Sequence, residues 1–234
     1  MCRLLALRSQ APLDPAPFLR AFARRCRASK EFQGDGWGVA WWDEGRWRSK
    51  RVVTPIWDEA SFIYPSARLF LIHARSAFRN EGVVVENNMP FVDGTLAFAF
   101  NGELRGVRLP ATGDTGAWRL FHLFRRFVEA ADGDGEAALR RLDEVVTSRT
   151  EYVRALNVVT SDGDRVWVNT RFSEDPDYFT LWHALYARAA GDVEMVASEP
   201  LAVAASSSMS WRKVPAGSTW ELSALADAAR GRTS

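Results

Sequence analysis

The residue best placed to do chemistry is a cysteine directly behind the initiator methionine, in the opening run Met1-Cys2-Arg3-Leu4-Leu5. A side chain as small as that of Cys2 permits removal of Met1, which would leave a thiol and a free α-amine on one residue. The α-amine has a reference pKa of about 7.7–8.0, so near neutral pH it supplies a base beside the nucleophile, a known activation device. The alternative is a thiol buried as a small hydrophobic residue on an edge strand.

Two further groups of polar residues follow predicted strands. His73 and Arg75 come at the end of an apolar strand predicted over 67–74, a common way of presenting polar groups on a rigid scaffold, although an arginine there could simply pair with a surface carboxylate. Asn101-Gly102 follows a strand predicted over 95–100 and favours a tight hairpin turn. The same pair could instead supply a side-chain amide and a backbone N–H as oxyanion donors.

Asp114 precedes a helical pattern over 117–131 and either it or Thr115 is predicted to cap that helix. The three histidines and two cysteines never fall at ligand spacing, so the sequence predicts no metal site.

Composition excludes several classes of function. The chain has 234 residues, 47% of them hydrophobic, with 30 basic and 29 acidic side chains. This balance gives no argument for nucleic acid or an anionic membrane surface as a partner. Two cysteines point to a reducing compartment, and no run approaches the roughly 18 apolar residues of a membrane span. A single domain over 1–234 in a cytoplasmic protein is expected.

Hydrophobic periodicity predicts strands early, two central helices and then more strands. The predicted strands are 3–8, 37–42, 46–53, 67–74, 95–100, 152–160, 165–169, 179–187, 193–197, 211–214 and 219–222, and the helices are 18–28, 117–131, 135–147 and 223–230. Residues 9–17 are predicted as a loop, and the last two strands as a hairpin.

Seven short motifs occur in an order that resembles the class II glutamine amidotransferases, which are N-terminal nucleophile hydrolases. Within that family the chain resembles the small stand-alone members, including the ergothioneine-pathway amidohydrolase and uncharacterised bacterial amidotransferase-like proteins. The motifs are Met1-Cys2-Arg3-Leu4-Leu5, Gly34-Asp35-Gly36-Trp37-Gly38-Val39, His73-Ala74-Arg75, Asn88-Met89-Pro90-Phe91, Asn101-Gly102, Gly113-Asp114-Thr115 and Ser198-Glu199-Pro200-Leu201.

The resemblance implies a fold and a catalytic set. The fold would be α+β, a four-layer αββα sandwich of two mostly antiparallel sheets. Cys2 would attack the side-chain amide of glutamine or of a γ-glutamyl group, with its own α-amine relaying the proton. Asn101 and the backbone N–H of Gly102 would stabilise the oxyanion, and no cofactor is implied.

The resemblance also implies a substrate-binding set. Arg75 would hold the α-carboxylate of the substrate, Asp114 its α-ammonium, and His73 would lie beside them. Two positions depart from the family pattern: Gly116 stands where a Glu is common, and Met89 where His or Gln is more usual.

No synthase domain follows in this sequence, so either a separate synthase subunit uses the ammonia or the protein hydrolyses a γ-glutamyl amide outright. The alternative to both is a catalytically silent amino-acid-binding or regulatory module with the same fold.

Overall fold

Two antiparallel sheets and three longer helices make up the computed structural model, which describes residues 1–77, 82–109, 111–173, 176–203 and 209–222. The strands are β1 Arg3–Leu13, β2 Trp37–Asp43, β3 Arg46–Val52, β4 Ala67–Ala74, β5 Phe91–Asp93, β6 Leu96–Val107, β7 Thr150–Ser161, β8 Val166–Thr170, β9 Trp182–Tyr186, β10 Val193–Ala197, β11 Ser210–Lys213 and β12 Ser218–Glu221. The helices are α1 Ala16–Arg27, α2 Gly116–Ala130, α3 Gly135–Ser148 and the single turn α4 Pro176–Phe179.

The larger sheet has seven strands in the order β11-β9-β10-β1-β4-β2-β3, and the smaller has five in the order β12-β8-β7-β6-β5. Every strand pair in the described ranges is antiparallel. The predicted hairpins β2–β3 and β7–β8 are confirmed. β1 lies in the middle of the larger sheet, between β10 and β4, which fixes the position of the chain's first residues.

Alternation along β1 shows how the layers form. Leu5 and Leu7 face the core shared with α1, whereas Leu4 and Ala6 face the smaller sheet. Successive side chains of a strand point to opposite faces, so both faces of β1 are buried. A further core lies between the smaller sheet and the helices α2 and α3. The four layers are therefore α1, seven strands, five strands, and α2 with α3, which confirms the predicted αββα sandwich.

The helices carry the expected apolar faces and caps. Phe18, Leu19, Phe22 and Cys26 are buried on α1, as their spacing predicts. The side chain of Thr115 caps α2 by accepting a hydrogen bond from the backbone of Trp118, which decides between the two residues proposed as caps. Within the described residues, none of the helices is long and apolar enough to cross a membrane.

Three local predictions are wrong. β1 continues through residues 9–13 instead of giving way to a loop, with a break in register between Arg8 and Leu13. The predicted closing hairpin does not form, because β11 pairs with β9 in the larger sheet and β12 with β8 in the smaller. Only Trp182–Tyr186 of the predicted strand 179–187 is extended. The predicted helix 223–230 lies outside the described residues.

The hairpin turn predicted at Asn101-Gly102 is also wrong, because both residues lie inside the twelve-residue strand β6. A Cβ atom at Gly102 would come within 2.1 Å of the carbonyl oxygen of Ala155 on β7. Glycine is needed there because the backbones approach closely, which is the other common reason for glycine within a strand.

Candidate active site

Cys2 lies just before β1, beside the chain that leaves β4. The backbone N–H of Ser76 points to the Cys2 Sγ over 3.5 Å, and the same Sγ lies 3.7 Å from the Ser76 carbonyl oxygen. The thiol is partly exposed and borders a cavity of about 310 Å³. The cavity is lined by Met1, Cys2, Glu31, Ser76, Ala77, Gly102, Glu103, Arg105 and Arg154.

Met1 lines this cavity and makes three sets of contacts beside it. Its α-ammonium pairs with the Glu31 carboxylate. Its carbonyl oxygen accepts a hydrogen bond from Gln33 Nε2 over 2.6 Å. Its side chain packs against a small buried cluster that includes Tyr178 and Phe179. Burial lowers the pKa of this α-amine, an effect that the neighbouring thiol of Cys2 opposes.

Gly102 reaches the cavity from the middle of β6, with Asn101 directly before it. By alternation the Asn101 side chain shares the face of Ala97, which packs between the two sheets. Asn101 is 1% exposed, and neither its Oδ1 nor its Nδ2 has a hydrogen-bond partner in the part of the chain that the structure describes. An unsatisfied buried amide is unusual and requires an explanation.

Arg75 is 8% exposed and its guanidinium is held from two directions. Nη1 donates to the Gly82 carbonyl oxygen over 2.7 Å and to Asn88 Oδ1 over 3.4 Å. Burial lowers its pKa, while Cys2 and Asp35 oppose the shift, which places Arg75 within electrostatic range of the thiol. Arg75 is not among the residues that line the cavity, but it directly precedes Ser76, which is.

Asn88 connects Arg75 with the end of β3 and lies against the loop before β2. Its Nδ2 donates to the Val52 carbonyl oxygen over 2.6 Å, and its Oδ1 accepts from Arg75. Gly36 has a φ of 116°, and a Cβ there would lie 2.0 Å from the Asn88 amide. The glycine therefore lets the loop before β2 pass close to Asn88, and the Gly36 carbonyl oxygen accepts from the Arg75 backbone N–H over 2.8 Å.

His73 lies fully buried on the face of β4 that packs against the smaller sheet, in line with Leu69 and Leu71. Burial, followed by the positive charge of Arg75, lowers the pKa of His73 to about 3, while the backbone of Phe100 opposes the shift. The Phe100 backbone and the His73 ring are not in hydrogen-bond geometry, and both ring nitrogens of His73 lack a partner among the described residues. His73 is a neutral residue of the interior and does not line the cavity.

Asp114 is exposed in the segment before α2 and does not line the cavity of Cys2. Gly116, the first residue of α2, is also exposed, and a Cβ there would meet nothing within 4 Å. Met89, the other departure from the family pattern, is buried, and its Sδ accepts from the Phe100 backbone N–H over 3.2 Å. It therefore supports β6 just before Asn101.

Three charged residues of the cavity wall escaped the sequence analysis. Glu103 accepts from Arg105 over 2.6 Å and from Arg154 over 2.9 Å. Burial of Glu103 opposes ionisation, but the hydrogen bonds from both arginines outweigh it and hold its pKa below the usual range. No sequence motif marks this group, because Arg154 comes close to Glu103 only through the pairing of β6 with β7.

Glu31 and Gln33 were also missed, since they lie in the loop before β2 that was noted only for its glycines. Among the residues described, no three His, Cys, Asp or Glu side chains are close enough to hold a metal ion. The cavity beside Cys2 brings together a thiol, the backbone of Ser76, Gly102 and charged side chains of both signs, a set compatible with nucleophilic amide chemistry.

Comparison with known proteins finds a family match over most of the chain. Residues 1–190 match the model of the family described as glutamine amidotransferases class-II. A gamma-glutamyl-hercynylcysteine sulfoxide hydrolase of Mycobacterium tuberculosis is 36% identical over 109 residues, covering 44% of this chain and 47% of the relative. The match therefore spans about half the length of that curated relative.

Solved structures share the fold at low identity. A predicted glutamine amidotransferase from Pseudomonas aeruginosa superposes with a TM-score of 0.59 at 18% identity, covering 94% of this chain and 96% of the other. A glutamine phosphoribosylpyrophosphate amidotransferase from B. subtilis gives a TM-score of 0.61 at 16% identity, covering 94% of this chain and 47% of the other. These likenesses establish the sandwich architecture and nothing about substrates.

Proposed function

The chain belongs to the class II glutamine amidotransferases, and we propose that it hydrolyses glutamine or a γ-glutamyl amide through a thioester on Cys2, once Met1 has been removed. The observation that carries this proposal is the cavity of about 310 Å³ that Cys2 and Gly102 line together. A nucleophile and a candidate oxyanion donor thus face the same space, as acyl transfer requires.

The proposed reaction has two steps. Cys2 Sγ attacks the amide carbonyl carbon while its proton passes to the α-amine of the same residue. The C–N bond then breaks, and the α-amine gives that proton to the departing ammonia or amine, leaving a γ-glutamyl thioester. Water attacks the thioester with the α-amine as base, so the C–S bond breaks, glutamate leaves and the thiol is restored.

The oxyanion of each tetrahedral intermediate is assigned to the Asn101 side chain and the Gly102 N–H. The unsatisfied amide of Asn101 supports this role, because an amide kept for a transient oxyanion is left without a partner in the resting protein. Arg75 and Asp114 are proposed to bind the amino-acid head of the substrate. The role of Arg75 is supported by its place next to Ser76, which lines the cavity. Asp114 is exposed, and its role rests on the family resemblance alone.

Hydrolysis of a γ-glutamyl amide, rather than ammonia delivery to a synthase subunit, is favoured by one finding. The curated relative from Mycobacterium tuberculosis is named as a hydrolase of a gamma-glutamyl compound. Delivery to a separate synthase subunit predicts that glutamate release depends on a second protein, whereas outright hydrolysis does not.

A silent binding module is the second candidate, and it requires that Met1 stays on the chain. While Met1 remains, the nitrogen of Cys2 is an amide and cannot serve as the base. Met1 also lines the cavity, with its ammonium paired with Glu31.

Glutamate release decides between the two candidates. The purified chain is incubated with glutamine and with a γ-glutamyl amide, beside Cys2→Ala and, as matched control, Cys26→Ala. Cys26 lies buried in the α1 core, away from the cavity lining, so its replacement should preserve turnover. Hydrolysis predicts glutamate from the parent and from Cys26→Ala but not from Cys2→Ala. Release that survives Cys2→Ala removes Cys2 from the mechanism.

A further inference from the structure

Met1 lies at the edge of the cavity beside Cys2 and contacts two groups there. Its ammonium pairs with Glu31, and its side chain packs against the buried cluster of Ala155, Tyr178 and Phe179. Met1 therefore places a cationic group on Glu31 and an apolar chain on this cluster. Removal of Met1 would free both of these contacts and enlarge the space next to the nucleophile.

Glu31 differs from the other carboxylate of the cavity wall. Glu103 is already neutralised by Arg105 and Arg154. Among the described residues, the ion-pair partner of Glu31 is the ammonium of Met1, and the Glu31 side chain keeps 43% of its surface exposed. Without Met1, Glu31 is left as an accessible anion in the wall of the cavity that holds Cys2.

We infer that Glu31 binds an ammonium group of the substrate in the space that Met1 vacates. This inference rests on the proposed function, because it requires Met1 to be absent. A charge-assisted hydrogen bond between a carboxylate and an ammonium is among the stronger polar contacts in proteins. The buried cluster of Ala155, Tyr178 and Phe179, against which the Met1 side chain packs, offers an apolar surface for methylene groups next to that ammonium.

Two parts of a γ-glutamyl substrate can carry the ammonium. One is the α-ammonium of the glutamyl group, in which case Glu31 would replace Asp114 in the role that the family resemblance gives to Asp114. The other is a positive charge on the leaving amine. Two substrate pairs separate these sources. Glutamine is compared with glutaramate, which lacks the α-ammonium, and γ-glutamyl-2-aminoethylamide is compared with γ-glutamyl-ethylamide, which lacks the second ammonium.

The variant is Glu31→Gln, and the matched control is Glu144→Gln, whose carboxylate lies exposed on α3 in a pair with Arg141. Hydrogen bonds to charged groups contribute about 1.5–3 kcal/mol, so Glu31→Gln should raise KM roughly 10- to 100-fold for the substrate whose ammonium Glu31 binds. In that pair, kcat/KM for the member lacking the ammonium should stay unchanged, and Glu144→Gln should affect neither member.

The effect on the two pairs identifies the source of the ammonium. If Glu31→Gln lowers kcat/KM for glutamine but not for glutaramate, Glu31 is assigned to the glutamyl α-ammonium. If Glu31→Gln lowers kcat/KM for the aminoethylamide but not for the ethylamide, Glu31 is assigned to the leaving amine. An equal loss for both members of both pairs overturns the inference and assigns Glu31 to the α-ammonium of Cys2, and no loss at all also overturns it.

Binding to Cys2→Ala gives a readout that does not depend on turnover. Isothermal titration of the same four compounds should show the preference for the ammonium-bearing member, lost in Cys2→Ala combined with Glu31→Gln. If this preference is present while the parent releases no glutamate, the proposed hydrolysis fails and the ammonium site stands. If glutamate is released without any such preference, the hydrolysis stands and the ammonium site fails. Retention of Met1 on the purified protein contradicts both.

Discussion

The side-chain amide of Gln33 donates a hydrogen bond to the main-chain carbonyl oxygen of Met1 over 2.6 Å, directly beside the nucleophile. Gln33 is completely buried, and its Oε1 has no partner among the described residues. When Met1 leaves, its carbonyl goes with it and a new α-amine appears on Cys2. The amide oxygen and nitrogen of a glutamine can exchange places by rotation, so Gln33 can accept a hydrogen bond from that amine.

Replacement of Gln33 by methionine, which keeps the length and removes the amide, should therefore slow catalysis. We expect kcat to fall about 10- to 100-fold, because the α-amine loses the group that orients it as a base. The pH at which kcat reaches half its maximum should also shift, and a purely structural residue would not move it. A fall in melting temperature with an unchanged pH profile would contradict this positioning role.

Asn101 and Asn157 form a matched pair, since they are direct neighbours in the register of β6 and β7. Asn101 has no described hydrogen-bond partner, whereas Asn157 donates to the Phe179 carbonyl oxygen over 2.8 Å and accepts from Thr170 over 2.8 Å. Asn101→Leu should lower kcat/KM roughly 100- to 1,000-fold through loss of an oxyanion donor. It should leave the free energy of unfolding unchanged or raise it, because no hydrogen bond is broken.

Asn157→Leu should instead lower the free energy of unfolding. Two buried partners lose their hydrogen bonds, at a cost of about 1–3 kcal/mol each. Glutamate release and urea denaturation, measured on both variants, check the contrast. If Asn101→Leu destabilises the fold as much as Asn157→Leu, the unpaired amide is not reserved for the oxyanion.

Arg3 anchors the first residues of β1 and depends on Glu199. Its guanidinium is 1% exposed, pairs with Glu199 over 2.9 Å and lies 4.6 Å from the centre of the Tyr178 ring. Glu199→Gln leaves this buried cation without its carboxylate and should lower the free energy of unfolding by roughly 3–5 kcal/mol. The exposed pair of Glu144 with Arg141 provides the comparison, where Glu144→Gln should cost less than about 1 kcal/mol. Equal effects in chemical denaturation would refute the role of Arg3.

His73 should make the fold sensitive to acid. Its pKa is lowered from 6.5 to about 3 in the folded protein, so between these values the unfolded chain takes up a proton that the folded chain does not. Stability should therefore fall as pH drops below about 6.5, by up to about 1.4 kcal/mol per pH unit from this residue. His73→Leu should remove that part of the slope in urea denaturation at several pH values. Parallel slopes for parent and variant would show that His73 is protonated equally in both states.

Much of the sandwich could be predicted from sequence because its strands are short apolar runs with clear alternation. The strand predicted over 67–74 matches β4, and the helix predicted over 135–147 ends one residue short of α3. Prediction was wrong where long-range pairing overrides local signals. Asn101-Gly102 has the sequence of a turn, yet both residues lie inside β6 and pair with β7. The last two strands are close in sequence, but each finds its partner in a different sheet.

The site residues likewise include some that sequence motifs predict and some that depend on long-range contacts. Cys2 and Gly102 could be proposed from motifs, and both line one cavity. Asp114 and His73 were proposed from motifs too, but the first is exposed before α2 and the second is buried between the sheets. Glu31 could not be predicted, because its importance lies in a contact with Met1 thirty residues away.

Removal of Met1 and reaction at Cys2 are the central claim, and one mass measurement tests both. The intact mass of the purified protein is determined before and after incubation with the glutamine analogue diazo-oxo-norleucine, and the labelled residue is located by peptide sequencing. We predict a chain lighter by one methionine residue, with a single label on Cys2 and none on Cys26. A chain that keeps Met1 and carries no label on Cys2 would contradict the account.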